Sequence, residues 1–250
     1  MRRTFTALRR LSMAVAHLFS GLRQARRLDA LTVAEQHRTI QAWSAQLAAR
    51  MGVALTVHGR MPDGPAMLVA NHVSWLDIAT LHACCPRARF VSKAVVGRWP
   101  VIGRLTRVVN TLFIERERKR DAMRVVREVA GALQAGDVVA LFPEGTTGPG
   151  DQLLPFHANL LEAAIVADVP VQPVLLRYSE PGMPVSRAAQ YIDDTTLVGS
   201  VLKLSTARGV AVAVHFLEPV LPRGLSRREL ARQVRERIGH ALEADLKEGA

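Results

Sequence analysis

Residues 66–77 read AMLVANHVSWLD, and the way this stretch divides decides the fold. Its first five residues are apolar without alternation, the pattern of a strand buried on both faces of a parallel sheet. The run then breaks: Asn71, His72 and Ser74 are polar, and Asp77 stands five positions after the histidine. Two readings of the break stand side by side. In one, Ser74 caps a new helix and Asp77, three residues on, completes a capping box with its charge at the positive helix end. In the other, His72 is a general base and Asp77 orients it. A loop beyond a buried strand holds side chains firmly and still exposes them.

Outward from this stretch, strand signals recur at 53–58, 89–93, 111–115, 138–142, 171–177 and 210–216. Helical signals fall between them at 75–85, 99–108, 119–135 and 157–168, with a last one at 226–247. Alternation with near-continuous apolar strands predicts an α/β fold, a mostly parallel central sheet flanked by helices. Pro100 would lie in the first turn of the helix from 99, where proline is accepted. Residues 179–209 read as loop with one short helix. Ahead of the sheet, residues 33–51 form an amphipathic helix, with Ile40, Trp43 and Leu47 at helical spacing and Gly52 ending it. The only boundary drawn is there: a helical membrane-association segment over 1–51 and an α/β domain over 52–250.

A chain of 250 residues, 49% hydrophobic and 22% charged, can bury a sizeable core and is not disordered. Its net charge of +11 points to an anionic partner such as nucleic acid, a membrane surface or a phosphorylated substrate. Aromatics at 5% are thin for base stacking, which argues against single-strand nucleic-acid binding. The first 27 residues hold seven arginines and no acid, around the apolar stretch LSMAVAHLFSGL at 11–22. Those 12 residues are too few to span a bilayer, which needs about 20. RRTF faintly resembles an export signal, but Arg9 and Arg10 interrupt the apolar segment and Arg23, Arg26 and Arg27 follow it at once. A helix lying in the membrane interface, arginines toward lipid phosphates, fits better than export or an ordinary core-packed helix. Cys84 and Cys85 are adjacent, offering no zinc spacing or disulfide framework, so a reducing compartment is expected.

Ligands bind beyond the carboxyl ends of strands in open α/β sheets. Three such ends carry polar residues: His72 to Asp77 after 66–70, Glu115 and Arg116 after 111–115, and FPEGTTGPG at 142–150 after 138–142. The last is either a glycine-rich turn or a source of backbone N–H groups for an anion or oxyanion. Together the three ends form an anion-friendly cleft with a base in it.

NHVSWLD, TLFIER, FPEGT and VPVQPV (169–174) resemble, in order and spacing, the four blocks of the glycerolipid acyltransferase family, over roughly residues 50–220. The resemblance implies transfer of an acyl group from acyl-CoA or acyl carrier protein to a lysolipid hydroxyl. The acceptor it places first is 1-acyl-sn-glycerol-3-phosphate, giving phosphatidic acid. The first fifty residues look like the membrane-binding helical pair of bacterial members, which implies a peripheral or monotopic enzyme on the cytoplasmic face of the inner membrane. His72 would take the hydroxyl proton, with no covalent enzyme intermediate, and histidine suits that work near neutral pH. Asp77 would fix the imidazole tautomer, as the buried carboxylate does in hydrolytic triads. It can hardly serve fully as both cap and orienter, and the orienter is favoured. Arg116 matches the family's phosphate-binding arginine, although alone it reads as one more solvated charge in ERERKR. Glu144 and Gly145, followed by Thr146 and Thr147, match the block that shapes the acceptor site. Lys93 matches a lysine near the thioester carbonyl, although a lysine ending a strand is commonplace. No cofactor and no metal is demanded.

The sequence departs from the pattern in one telling place. The third block usually runs Glu-Gly-Thr-Arg, and that arginine helps hold the acceptor phosphate, whereas Thr147 stands here. Downstream, Pro155-Phe156 is followed by His157, Ala158 and Asn159 where lysine and glycine are usual. Loss of the arginine removes a bidentate, charge-assisted phosphate contact. Such a pattern resembles a branch that includes lyso-ornithine lipid acyltransferases, the alternative acceptor. A non-catalytic basic module on membranes or nucleic acid would fit the charge, but not the histidine–aspartate pair beside a glycine-rich loop.

Overall fold

A computed structural model describes residues 2–61, 63–114 and 119–248. It opens with helix α1 (Arg2–Ala25) and helix α2 (Val33–Met51), joined through a 3-10 turn at Leu28–Ala30. Thr32 starts α2 with a reciprocal capping box: the Glu35 N–H donates to Thr32 Oγ1 and the Thr32 N–H donates to Glu35 Oε2 at 2.9 Å. Gly52 ends the helix in the left-handed region, φ 77°, where a Cβ would be strained.

The sheet has seven strands: β1 (Val53–Gly59), β2 (Ala66–Ala70), β3 (Ala88–Lys93), β4 (Leu112–Ile114), β5 (Val138–Leu141), β6 (Val171–Ser179) and β7 (Val210–Phe216). Their spatial order is β1-β7-β6-β2-β5-β3-β4. Strands β6, β2, β5, β3 and β4 run parallel, while β7 turns antiparallel to β6 and carries β1 parallel beside it. Every residue of β2 and β5 is buried, as helices on both faces require. The order has a direct consequence for chemistry. Because β2, β5, β3 and β4 are adjacent and parallel, their carboxyl ends open on one edge, which gathers the polar segments singled out in the sequence.

The remaining helices are α3 (Asp77–Cys84), α4 (Ala94–Gly97), α5 (Ile102–Val108), α6 (Lys119–Gln134), α7 (Glu162–Ala167), α8 (Leu197–Thr206) and α9 (Arg227–Glu248). Several boundaries depart from expectation. Helix α3 starts two residues late because the chain over 74–76 turns tightly around the Asp77 carboxylate. Pro100 lies in the turn between α4 and α5 rather than inside a helix. The segment from 157 splits into a 3-10 turn at Ala158–Leu161 and α7. Thr196, whose hydroxyl accepts the Gly199 N–H at 3.0 Å, opens the short helix α8 within 179–209.

Helix α1 packs on α2 and α8, with the His17 ring stacked on Trp43 at 4.8 Å. Arg10 does not point outward toward lipid, as expected of the arginines here. Its guanidinium donates to the carbonyls of Ser205 at 3.2 Å and of Ala207, satisfying the end of α8 where a cation is favoured. Burial pushes the Cys84 and Cys85 thiols up to about 12 and about 11, so both pack as small apolar groups rather than as nucleophiles.

Candidate active site

The loop between β2 and α3 needs partners for its own backbone N–H groups, and one oxygen supplies several. Asp77 Oδ2 accepts the backbone N–H of Val73 at 2.7 Å and of Ser74 at 2.9 Å. The same oxygen meets His72 Nδ1 at 2.7 Å. Asp77 therefore binds the imidazole and the loop ahead of α3 with one oxygen, and the expected helix cap is not formed: the N-cap of α3 is Leu76, with no side-chain bond. The carboxylate is fully buried, while the His72 side chain keeps 19% of its surface. With a carboxylate facing Nδ1, that nitrogen carries the proton and Nε2 presents its lone pair to the cleft. Behind the pair lies the Tyr178 hydroxyl, 3.3 Å from Thr80 Oγ1, its ionisation pushed well up by burial first and by the charge of Asp77 second.

The loop carrying His72 is gripped from several sides. The Asn71 side chain continues the ladder onto β6, with Nδ2 donating to the Leu176 carbonyl at 2.9 Å and Oδ1 accepting the Leu176 N–H at 2.7 Å. The Gly148 N–H donates to the His72 carbonyl at 2.7 Å, and the Tyr191 N–H to that of Val73 at 3.0 Å. The Phe142 ring stacks on the imidazole, with centroids 4.1 Å apart and planes within 10°. Asn71 and Phe142 were not singled out from the sequence. Their signal was position alone: each is the residue where an apolar strand gives way to a loop.

Glu144 sits inside this arrangement. It is 5% exposed, with Oε1 accepting the His72 N–H at 2.9 Å and Oε2 accepting the Leu154 N–H at 3.0 Å. Burial raises its ionisation and the two N–H groups pull it back. Gly145, at φ 69°, makes the turn that aims this carboxylate inward. A Cβ on Gly148 would stand 3.1 Å from Glu144 Oε2, so a larger residue there would press on the carboxylate. This geometry makes Glu144 a strut between two loops. Glu144→Gln leaves one N–H facing an amide NH₂, and is expected to lower kcat about tenfold with acceptor KM nearly unchanged, the pattern of a positioning residue. Steady-state kinetics check this; a raised KM with kcat preserved would place Glu144 on the substrate instead.

Of the other candidates, Thr146 is exposed at the rim and Thr147 is half-buried, its hydroxyl donating to the Tyr191 carbonyl. Lys93 is exposed at the end of β3, next but one to β2 in the sheet, and leads into α4. Arg116 lies outside the described residues. Among the described residues, no three His, Cys, Asp or Glu side chains group as metal ligands.

A mostly parallel sheet with a carboxylate-bonded histidine and a glycine-rich loop at its carboxyl edge has the parts that general-base chemistry requires. The chain belongs to the acyltransferase family. The profile of the family described as Acyltransferase matches residues 54–177. A lyso-ornithine lipid O-acyltransferase from Pseudomonas aeruginosa is 38% identical over 207 residues, 83% of this chain and 79% of that protein. A 1-acyl-sn-glycerol-3-phosphate acyltransferase from Neisseria gonorrhoeae is 33% identical over 216 residues, 85% and 84% of the two chains. The crystal structure of the 1-acyl-sn-glycerophosphate (LPA) acyltransferase of Thermotoga maritima superposes with a TM-score of 0.75 at 23% identity, covering 97% of this chain and 95% of that one. That likeness establishes the shared fold.

Proposed function

We propose that this acyltransferase moves a fatty acyl group from a thioester, acyl-CoA or acyl carrier protein, to the free hydroxyl of a lysolipid at a membrane surface. The observation that carries the proposal is the His72–Asp77 pair, its carboxylate buried and its imidazole partly exposed. His72 Nε2 takes the hydroxyl proton as the lipid oxygen attacks the thioester carbonyl carbon. The C–S bond then breaks, and the departing thiolate receives that proton from the imidazolium, which Asp77 stabilises meanwhile. No bond to the enzyme forms.

For the acceptor, the sequence expectation placed 1-acyl-sn-glycerol-3-phosphate first. Thr147 weighs against that order. Its short neutral side chain is engaged with Tyr191, so the position offers no charged fork to a phosphate, and the name of the Pseudomonas relative points the same way. We favour lyso-ornithine lipid; Arg116 keeps lysophosphatidic acid as the second reading. The test is the ratio of kcat/KM for the two acceptors in wild type and Thr147→Arg. Wild type should prefer lyso-ornithine lipid, and the arginine, repelling the headgroup ammonium, should remove the preference. A wild type that prefers lysophosphatidic acid and is unharmed by the arginine overturns the assignment.

Membrane association rests on α1. Phe5, Leu8, Val15 and Phe19 form an exposed stripe, each at least 45% accessible, with Arg9, Arg23, Arg26 and Arg27 exposed around it. Val198 and Leu202 are exposed on α8, which packs against α1. Among the described residues no helix is long and apolar enough to cross a membrane. An exposed apolar stripe with arginines suits the interface of an anionic bilayer. Deleting residues 1–27 would also uncover the core contacts of Ala14 and His17, so the cleaner variant is Phe5→Ser with Phe19→Ser. It should weaken binding to anionic vesicles at least tenfold in a sedimentation assay. Raising salt from 0.1 to 1 M, which shortens the screening length from about 10 to 3 Å, should weaken the intact protein as well.

A further inference from the structure

The two oxygens of Asp77 are used unequally. Oδ2 receives the N–H groups of Val73 and Ser74 and meets the His72 ring, while Oδ1 is buried and has no hydrogen-bond partner among the described residues. A carboxylate oxygen taken out of water without a donor is costly, and such an atom in a native fold calls for explanation. It also bears on the chemistry, because the charge left on Oδ1 is part of what Asp77 presents to the imidazole.

A donor of the right kind lies behind the pair. Tyr178 of β6 is 2% exposed, and its hydroxyl stands 3.3 Å from Thr80 Oγ1, three residues beyond Asp77 on α3, where either hydroxyl can donate to the other. Burial first, then the charge of Asp77 and its claim on the hydroxyl proton, push the ionisation of Tyr178 well up, so the phenol keeps its proton. A phenol has one proton to give and lone pairs with which to accept. Between a carboxylate and a neutral hydroxyl, electrostatics turns that proton to the carboxylate and lets the phenol oxygen accept from Thr80. Hydrogen bonds in such a series polarise one another.

We propose that Tyr178 donates its hydroxyl proton to the otherwise unpartnered oxygen of Asp77, with Thr80 donating to Tyr178 in turn, so that the series Thr80–Tyr178–Asp77–His72 sets the hold of Asp77 on the base. The inference rests on the acyl-transfer reading above and deepens it: Tyr178 is a positioning residue that acts through Asp77. No proton passes along the series and no bond in it breaks. The direction of the effect follows from charge. A donor stabilises the carboxylate most when no imidazolium compensates it, so Tyr178 favours the neutral ring, the form able to act as base. The other titratable groups that bear on the pair are Glu144, whose Oε1 accepts the His72 N–H, and Cys84, a neutral thiol pushed up to about 12 by burial and by Cys85.

The test is the pH dependence of kcat/KM for transfer from acyl-CoA to a lysolipid in wild type, Tyr178→Phe and Thr80→Val. A base works only while neutral, so activity falls as pH drops through its ionisation. Tyr178→Phe favours the imidazolium and should move this acid limb upward by about half a pH unit or more. It should also lower the plateau kcat roughly three- to tenfold with acceptor KM unchanged, since the carboxylate loses a bond that fixes its plane. Thr80→Val keeps the phenol and should move the limb the same way by less. A fluorinated tyrosine placed at 178, a stronger donor of nearly the same size, should move it downward. A tyrosine that only fills the core would cost thermal stability and leave the limb where it is. A second readout needs no turnover: the downfield ¹H signal of His72 Nδ1, assigned by its loss in His72→Ala, should shift in Tyr178→Phe. Normal transfer with an acid limb that stays in place or moves downward in Tyr178→Phe overturns the inference and leaves the transferase reading standing. Absence of transfer by wild type strikes that reading instead, and the inference then falls unless the Nδ1 signal shifts with the substitution.

Discussion

His72→Ala is expected to yield a folded protein that has lost transfer, with kcat reduced by ~10²–10⁴-fold, the range for removal of a general base. The loss should fall on chemistry because the loop is held by main-chain groups that alanine keeps. The residue 72 N–H still donates to Glu144 and its carbonyl still accepts from Gly148. Asp77 retains the Val73 and Ser74 N–H groups, so the buried carboxylate is not stranded when the imidazole goes. The side chain gives up only its hydrogen bond to Asp77 and its stacking on Phe142, and it is partly exposed. Activity should disappear while the thermal transition moves little, as calorimetry beside steady-state kinetics would show.

Asp77→Asn is expected to cost less than His72→Ala and still cripple the enzyme. If the amide oxygen stays on the backbone N–H groups, Nδ1 keeps an acceptor but the imidazolium loses its counter-charge. If the amide NH₂ turns toward the ring, it forces the proton onto Nε2 and the base is blocked, the tautomer error that costs about 10⁴-fold in hydrolytic triads. A mixture of the two predicts a loss of roughly 10²–10³-fold in kcat, with acceptor KM near its wild-type value. Stability should fall as well, by ~1–3 kcal/mol, because charge-assisted bonds to two buried N–H groups become neutral ones. Kinetics and denaturant titration of one preparation check both halves; unchanged stability with lost activity would mean that the loop-holding half of the role has been overstated.

The central strands were readable because burial on both faces writes an unbroken apolar run, as in AMLVA and VVAL, and alternation with helices then limits the sheet to few topologies. The order in space was not readable. The placement of β5 between β2 and β3, which brings Glu144 to the backbone of His72, is a long-range choice that no local pattern records. The residues misread or passed over share one trait: their role is exercised through main-chain groups of other segments. Arg10 looks like one more interfacial arginine until α8 supplies two carbonyls for it. Asp77 was treated as a choice between cap and orienter because a sequence cannot show one oxygen receiving three donors. Asn71, beside the histidine, carries a two-bond bridge to Leu176, 105 residues further along the chain.

The most direct measurement is release of free CoA thiol from acyl-CoA by the purified protein, with and without added lysolipid, in wild type and His72→Ala. The account predicts thiol release that requires the lysolipid, matches acylated product mole for mole, and is lost in His72→Ala. Thiol release that ignores the lysolipid, or that continues at the wild-type rate without His72, would contradict it.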